Sequence, residues 1–400
     1  MKKAFRFLLR RGFYYKVVLL YYYYRLFPMQ KKVVASTMRG RRFGDNPGFI
    51  LECLKEKAKD IDYVWLKADE YDYKVPEGIR TVSYKQNLKQ KVYECATAKV
   101  WIYSHRMPSY IRKRRGQIFI ETWHGGLGIK KIEGDVPIVM KGKRNVKEIK
   151  NTSKMADVFI SNSKHLDNIY RSAFGYKGSI YKCGYPKNDV FFKDNTEIVK
   201  KVRKHFGLED NKILLYAPTF RDSFELTNRV DESVYDVDYV KLKHALECRF
   251  EGKWTILVRW HPIMRIYMEQ EKRMIPNVID ATSYPEMQDL ILASDVFLSD
   301  YSSGIFDAAL REIPCFTYAT DFDEYKKDRG VYYEMDELPF PYAKNNEELI
   351  NHILNYDHDA YINKWKQFAK RTGLFETGHA ADDISNKIID IMNGKKIDWV

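Results

Sequence analysis

Leu298-Ser299-Asp300-Tyr301-Ser302-Ser303-Gly304 carries an apolar strand straight into the start of a helix. Val296, Phe297 and Leu298 supply the strand, and Ile305, Phe306, Ala309 and Leu310 give the helix its buried stripe. Two hydroxyls and a glycine occupy the junction, residue types that leave backbone N–H groups able to point at an anion. A helix N-terminus carries about half a positive charge and unpaired donors, so the junction has the make-up of a phosphate cradle. It equally has the make-up of a plain serine N-cap after an Asp-containing turn. Either way it is a strand-to-helix step, the unit from which α/β folds are built.

Working outward from it, the same step recurs. Lys212–Tyr216, Thr255–Val258, Val278–Ile279 and Cys315–Tyr318 read as further strands, and Val240–Phe250, Tyr284–Ala293 and Ser302–Arg311 as helices. An earlier series runs through Val33–Ala35, Tyr63–Leu66, Thr81–Tyr84, Val100–Tyr103, Ile118–Ile120, Val158–Ile160 and Ile180–Cys183. Helical spacing at Gly48–Lys59, Asn87–Thr97 and Ser163–Phe174 lies between them. Alternation of this kind predicts parallel sheets covered on both faces. Asp189–Leu208 has mixed charge and no strand signal, which puts a boundary near Asp194–Asn211. The expected organisation is a leading segment over 1–32, a first lobe over 33–193 and a second over 194–400, with a cleft at the carboxyl ends of both sheets. The last helix, Ala380–Met392, is one that can return to the first lobe.

The formal charge of +14 is concentrated. Met1–Gly44 holds twelve Lys and Arg and no Asp or Glu, so the remainder of the chain is close to neutral. That argues against nucleic acid as a partner, since the basic charge does not continue over the body. The same segment carries Phe13, Tyr14, Tyr15, Leu19, Leu20 and four consecutive tyrosines, Tyr21 to Tyr24. Lys16 and Arg25 interrupt it too soon for a spanning helix. Aromatic and aliphatic bulk mixed with Lys and Arg predicts a helix lying in the interface of an anionic membrane. Five scattered cysteines without a C-x-x-C pair argue against a disulfide framework or a zinc site, and for a reducing compartment.

Several expected strands end in residues with useful chemistry, where ligands bind in open α/β sheets. Gln117–Glu121 leads to Thr122-Trp123-His124-Gly125-Gly126, in which two glycines let backbone approach a substrate beside a titratable imidazole. Thr255–Val258 leads to Arg259-Trp260-His261-Pro262, where the proline ends the strand and leaves His261 at its mouth. Lys212–Tyr216 leads to Ala217-Pro218-Thr219-Phe220-Arg221. One histidine at a strand end is commonly structural. Two of them, one per lobe, together with the Ser302–Ser303 junction, make a constellation.

In this order the motifs resemble the CDP-glycerol glycerophosphotransferase family, which builds teichoic acids and related phosphate-linked polymers of bacterial envelopes. The resemblance runs from Ala96 to Ala380. It includes Trp101 with Arg106-Met107-Pro108, Trp123-His124-Gly125, Ser163-Lys164-His165, Gly184-Tyr185-Pro186-Lys187-Asn188-Asp189, Ala217-Pro218-Thr219-Phe220-Arg221, His261-Pro262 and Asp300-Tyr301-Ser302-Ser303. It implies a GT-B-like enzyme with two Rossmann-like doubly wound lobes, preceded here by the basic aromatic helix. It further implies a CDP-glycerol or CDP-ribitol donor, a lipid-linked glycan acceptor, and a place on the cytoplasmic face of the membrane. No cofactor is expected, and no acidic cluster has metal-ligand spacing. Polymerising members often carry a long additional N-terminal region, which makes this chain look more like a priming or single-addition enzyme. After Trp123-His124-Gly125, where Thr-Pro-Leu-Lys is common, stands Gly126-Leu127-Gly128-Ile129-Lys130 on the acceptor side.

Under that resemblance His124 is the expected general base, and His261, with Ser302 and Ser303, stabilises the pyrophosphate and departing CMP. Thr219 and Arg221 are further donor contacts, Asp300 either orients the donor or caps its turn, and His379 is a weaker donor candidate. Gly125 and Gly126 fall on the acceptor side. The rival reading is a GT-B glycosyltransferase using a nucleotide sugar, which the same lobes would serve.

Overall fold

Val33, Val34 and Ala35 are fully buried in the middle of a parallel sheet, covered on both faces as a continuous apolar run requires. The computed structural model describes residues 2–108, 110–137, 146–208, 210–221, 232–261 and 278–399; the side chains of 2–11 and 232 lie outside that description. The first sheet contains β1 (Gln30–Ser36), β2 (Asp62–Lys67), β3 (Ile79–Ser83), β4 (Ala98–Tyr103), β5 (Ile118–Glu121), β6 (Val158–Ser161) and β7 (Ser179–Lys182), in the order β3-β2-β1-β4-β5-β6-β7. The second contains β8 (Lys212–Ala217), β9 (Trp254–Val258), β10 (Val278–Asp280), β11 (Val296–Ser299), β12 (Cys315–Tyr318) and β13 (Tyr342–Ala343), in the order β10-β9-β8-β11-β12-β13. Every pairing is parallel. In each sheet the order reverses beside the first strand, between β1 and β4 and between β8 and β11, and such reversals open a crevice at the carboxyl ends.

All the strands read from the sequence are present, and the two-residue β13 is additional. Among the described residues five helices go beyond the sequence reading: Val146–Met155, Thr196–Phe206, Phe322–Arg329, Asn346–Leu354 and His358–Thr372. Thr196–Phe206 lies in the stretch read as a connection for its mixed charge and want of a strand signal, although Ile198, Val199, Val202 and Phe206 recur there at helical spacing. Only Val202 is fully buried there, with Val199 and Phe206 packed beside it.

Two compact units result. One comprises Met1–His124, Arg144–Asp189 and Phe375–Val400; the other comprises Gly125–Lys143 and Val190–Leu374. They differ from two continuous lobes in two places. Leu127 and Ile129 are core residues of the second unit, and Ile129 O accepts from Tyr332 N while Lys131 N donates to Gly330 O. The helix Ala380–Met392 belongs to the first unit, where it packs on Asp45–Lys57 and Asp382 pairs with Lys57. The carboxylate of Asp189 caps that helix, accepting from Ala380 N at 2.9 Å and Ala381 N at 2.8 Å.

The leading segment is a helix over Lys2–Tyr24 that docks on Leu88–Thr97. Val17 and Tyr21 are buried beneath it, and the Tyr24 ring meets Tyr93 edge-on at 5.4 Å. Tyr15, Leu19, Tyr22, Tyr23 and Leu26 remain exposed. The boundary at residue 32 runs into β1. Lys32 is buried, with its ammonium 2.6 Å from the Glu94 carboxylate and 2.9 Å from Thr97 Oγ1, so the separable part ends before Gln30. No helix among the described residues is long and apolar enough to cross a membrane.

Candidate active site

In the first unit, β5 ends at Glu121 and the chain turns at once. Trp123 adopts a left-handed φ of 52°, its N–H donating to the Glu121 carboxylate at 3.0 Å. Thr122 N donates to Tyr103 O at 2.7 Å, holding the turn against the end of β4. The turn delivers His124 to the surface, its ring against Trp123 with centroids 4.3 Å apart. His124 Nδ1 lies 2.9 Å from Ser104 O. A carbonyl only accepts, so Nδ1 carries the hydrogen and the basic lone pair of neutral imidazole is on Nε2. That is the tautomer a general base needs.

The loop after β7 supports the same turn. Lys187 Nζ lies 3.4 Å from His124 O, and Lys187 N donates to Asn46 Oδ1, whose amide nitrogen reaches Trp123 O. Beside it Glu376 gathers Asn162, Asn188 and Tyr185 N through its two carboxylate oxygens. Gly184, at φ 84°, makes room for this carboxylate, since a Cβ there would meet Glu376 Oε2 at 2.6 Å. The Gly184–Asp189 motif is therefore mainly a scaffold in this structure.

In the second unit three adjacent strands, β9, β8 and β11, bring their carboxyl ends together at the order reversal. Thr219, Phe220 and Arg221 follow β8, His261 follows β9, and Asp300, Ser302 and Ser303 follow β11. Arg221 is buried, and four of its five N–H groups are engaged. Its Nη1 donates to Thr219 O and to Asp300 Oδ2, both at 2.6 Å, while Nε and Nη2 grip both oxygens of Asp321 at 2.6 and 2.9 Å. Burial works against its charge, but Asp300 and Asp321 outweigh it and hold the guanidinium well above its ordinary pKa. Rings of Tyr301, Tyr235 and Tyr325 surround it at 4.7 to 5.3 Å. The two carboxylates fix the guanidinium in place among the ends of β8, β11 and β12.

Asp300 is 1% exposed and accepts from Thr219 N at 2.8 Å and Tyr301 N at 2.6 Å. Its position is that of a clamp between the β8 and β11 loops. Thr219 Oγ1 is buried and has no hydrogen-bond partner among the described residues. A buried hydroxyl left unmatched in a crevice calls for a ligand acceptor or donor. His261 is half-buried and stacks on Phe220 at 5.1 Å. Ser302 and Ser303 are partly exposed; Ser302 Oγ accepts from Gly304 N at 3.2 Å, and Ser303 makes no side-chain cap bond. The helix they precede, Gly304–Ala309, has only six residues, so its dipole is slight and the hydroxyls and loop N–H groups matter more.

The second unit thus gathers Thr219, Arg221, His261, Asp300, Ser302 and Ser303. Gly125 and Gly126 open the stretch that packs with it. His379 is exposed and belongs to the first unit, just before Ala380–Met392. Sequence reasoning passed over Ser104, which orients His124, and Asp321, the second carboxylate on Arg221. Asp321 could have been found: it follows the end of β12, the same position that drew attention elsewhere.

Two order-reversed parallel sheets, one leading to an oriented histidine and the other to a crevice with an unmatched buried hydroxyl, define a GT-B-like α/β fold. The chain belongs to the CDP-glycerol:poly(glycerophosphate) glycerophosphotransferase family, whose model matches residues 19–390. It is 30% identical over 384 residues to a teichoic acid poly(glycerol phosphate) polymerase of Bacillus spizizenii, covering 91% of this chain and 92% of that one. A teichoic acid ribitol-phosphate primase of the same organism is 26% identical, covering 91% and 92%. Among solved structures, the wall teichoic acid polymerase TagF superposes with a TM-score of 0.80 at 26% identity, covering 99% of this chain and 100% of that one. A polymerase of matching length removes length as an argument for priming over polymerisation.

Proposed function

We propose that this enzyme transfers glycerol phosphate from CDP-glycerol to a hydroxyl of a lipid-linked glycan, releasing CMP, in teichoic acid synthesis. The family match over nearly the whole chain carries the reading. The acceptor oxygen attacks the phosphorus next to glycerol and its proton passes to His124 Nε2. The bond from that phosphorus to the bridging oxygen breaks, and CMP leaves with the electron pair. Such a transfer needs positioning and charge neutralisation more than covalent help. His261 on its Phe220 platform, the Thr219 hydroxyl, and Ser302 and Ser303 receive the pyrophosphate, while Arg221, Asp300 and Asp321 hold their loops in place. The likeness to a ribitol-phosphate primase extends the donor class to CDP-ribitol. Incubation with each CDP-alditol, with CMP release and the acceptor's mass as readouts, tests the reading; a protein that leaves both donors intact refutes it.

His261→Ala is expected to weaken donor affinity as well as turnover, because the pyrophosphate is charged in the ground and transition states alike. Ser302→Ala should show the same pattern in milder form, as loop N–H donors remain. Calorimetric titration with CDP beside single-turnover rates gives both quantities, and unchanged CDP affinity in His261→Ala would remove it from the donor site.

The exposed row on the leading helix supports attachment to a membrane surface, and a CDP-linked donor would put that surface on the cytoplasmic side. Replacing Leu19, Tyr22 and Leu26 by Gln should leave the fold intact, since none is buried, yet reduce sedimentation with anionic vesicles. High salt should only partly mimic this, because screening removes the Lys and Arg contribution but not apolar insertion. Full vesicle binding by the triple variant would dismiss the interfacial role.

A further inference from the structure

At the β1/β4 reversal of the first sheet lies a cavity of about 400 Å³. Its walls come from loops after four neighbouring strands: Arg39 and Arg41 after β1, Glu70 after β2, Lys85 after β3 and Tyr110 after β4. Lys91 and Leu88, on the helix Leu88–Thr97, complete it, and Phe13 of the leading helix closes one side, its ring edge-on to Tyr110 at 5.9 Å. This is the position where parallel sheets take ligands.

The charges around the cavity do not cancel. Arg39 pairs with Glu148 at 2.9 Å, and Lys85 pairs with Glu70. Arg41 and Lys91 have no carboxylate within ion-pair distance among the described residues. For Arg41, exposed at the mouth, that is ordinary. For Lys91 it is not: only 2% of the residue is exposed, and among the described residues its ammonium has a single hydrogen bond, to Tyr84 O at 2.9 Å, while lying 3.9 Å from the Tyr84 ring centre. Lysines are rarely buried without a counter-charge, because the desolvation cost goes unreturned. Burial lowers its pKa to about 8. Beyond Tyr84, His105 is buried too, with neither ring nitrogen hydrogen-bonded among the described residues. Polar groups left short in this way imply that something else satisfies them.

We propose that this pocket is an anion subsite for the phosphate or diphosphate group of a lipid-borne ligand, held by Lys91 and Arg41. The ligand's role as acceptor rests on the transferase reading; the site itself does not. Lysine supplies a compact charge and arginine a fork for phosphate oxygens. The lipid source follows from Phe13, which lines the pocket on the helix whose other side exposes Tyr15, Leu19 and Tyr22. A headgroup in the pocket would leave its chain beside that apolar row.

The test uses the full chain and two probes: inorganic diphosphate by calorimetry, and phosphatidylcholine vesicles carrying farnesyl diphosphate against phosphatidylglycerol vesicles of matched charge. The wild type should bind diphosphate and prefer the farnesyl diphosphate vesicles. Lys91→Met and Arg41→Gln should each lose about tenfold or more in affinity, as for one charge-assisted hydrogen bond. Glu70→Gln should gain affinity by releasing Lys85. Arg41 is exposed, so its variant reads the site without a risk to folding. Diphosphate binding without vesicle preference keeps the anion site and overturns the lipid source. No diphosphate binding by the wild type, or equal binding by Arg41→Gln, overturns the site. A protein that releases CMP from CDP-glycerol yet ignores diphosphate refutes the pocket alone. One that binds diphosphate through Arg41 and Lys91 yet leaves CDP-alditols intact refutes the transferase reading alone.

Discussion

His124→Ala should lower the single-turnover rate by about 10²–10⁴ while leaving CDP affinity close to wild type. The size follows from what is removed. Nδ1–H bonded to Ser104 O presents Nε2 as an acceptor, and an alcohol attacking phosphorus must shed its proton as the bond forms. The selectivity for rate follows from timing, since a base acts on the acceptor in the transition state and makes no bond to the donor nucleotide. His124 is exposed, so its removal opens no cavity and the first unit should fold normally. Rapid-quench rates paired with CDP titration measure both effects. Near-normal turnover would exclude His124 as the base, and a loss of CDP affinity equal to that in His261→Ala would end the division of labour between the two.

Asp300→Ala should act on stability first, costing about 3–5 kcal/mol, the range for removing one member of a buried ion pair. Its carboxylate serves three donors at once: Arg221 Nη1, Thr219 N and Tyr301 N. The side chain is 1% exposed, so water does not replace what is lost. Asp321 keeps its two bonds to Arg221, which places the expected value toward the lower end. Urea unfolding followed by a probe in the second unit would show the transition moving to lower denaturant. If stability is unchanged and only donor affinity falls, Asp300 touches the donor and is not the clamp described above.

How much of this was legible in the residues can be judged element by element. The strand–helix alternation was, because fully buried parallel strands must be short apolar runs, and those runs stand out between charged helices. The helix Thr196–Phe206 was legible as well, since Ile198, Val199, Val202 and Phe206 recur at helical spacing, but a stretch judged by its lack of a strand signal passed as a connection. His124 and His261 were legible as strand-end histidines. Arg221 was legible as a functional residue but not in its role, since nothing near it in the chain announces Asp300 or Asp321 as partners. The same holds for the leading segment, whose composition signalled an interfacial helix but not that Lys32 belongs to a central strand.

By itself the sequence determined the α/β class, the family and the charged aromatic leader, all of which depend on local pattern and motif order. Only the tertiary structure decided what each polar group faces. It set the His124 tautomer through Ser104, clamped Arg221 between two carboxylates, and left Lys91 buried with none among the described residues. Those outcomes depend on which loops the two sheet orders bring side by side, and separations of up to 100 residues along the chain, as between Arg221 and Asp321, carry no local trace of that proximity.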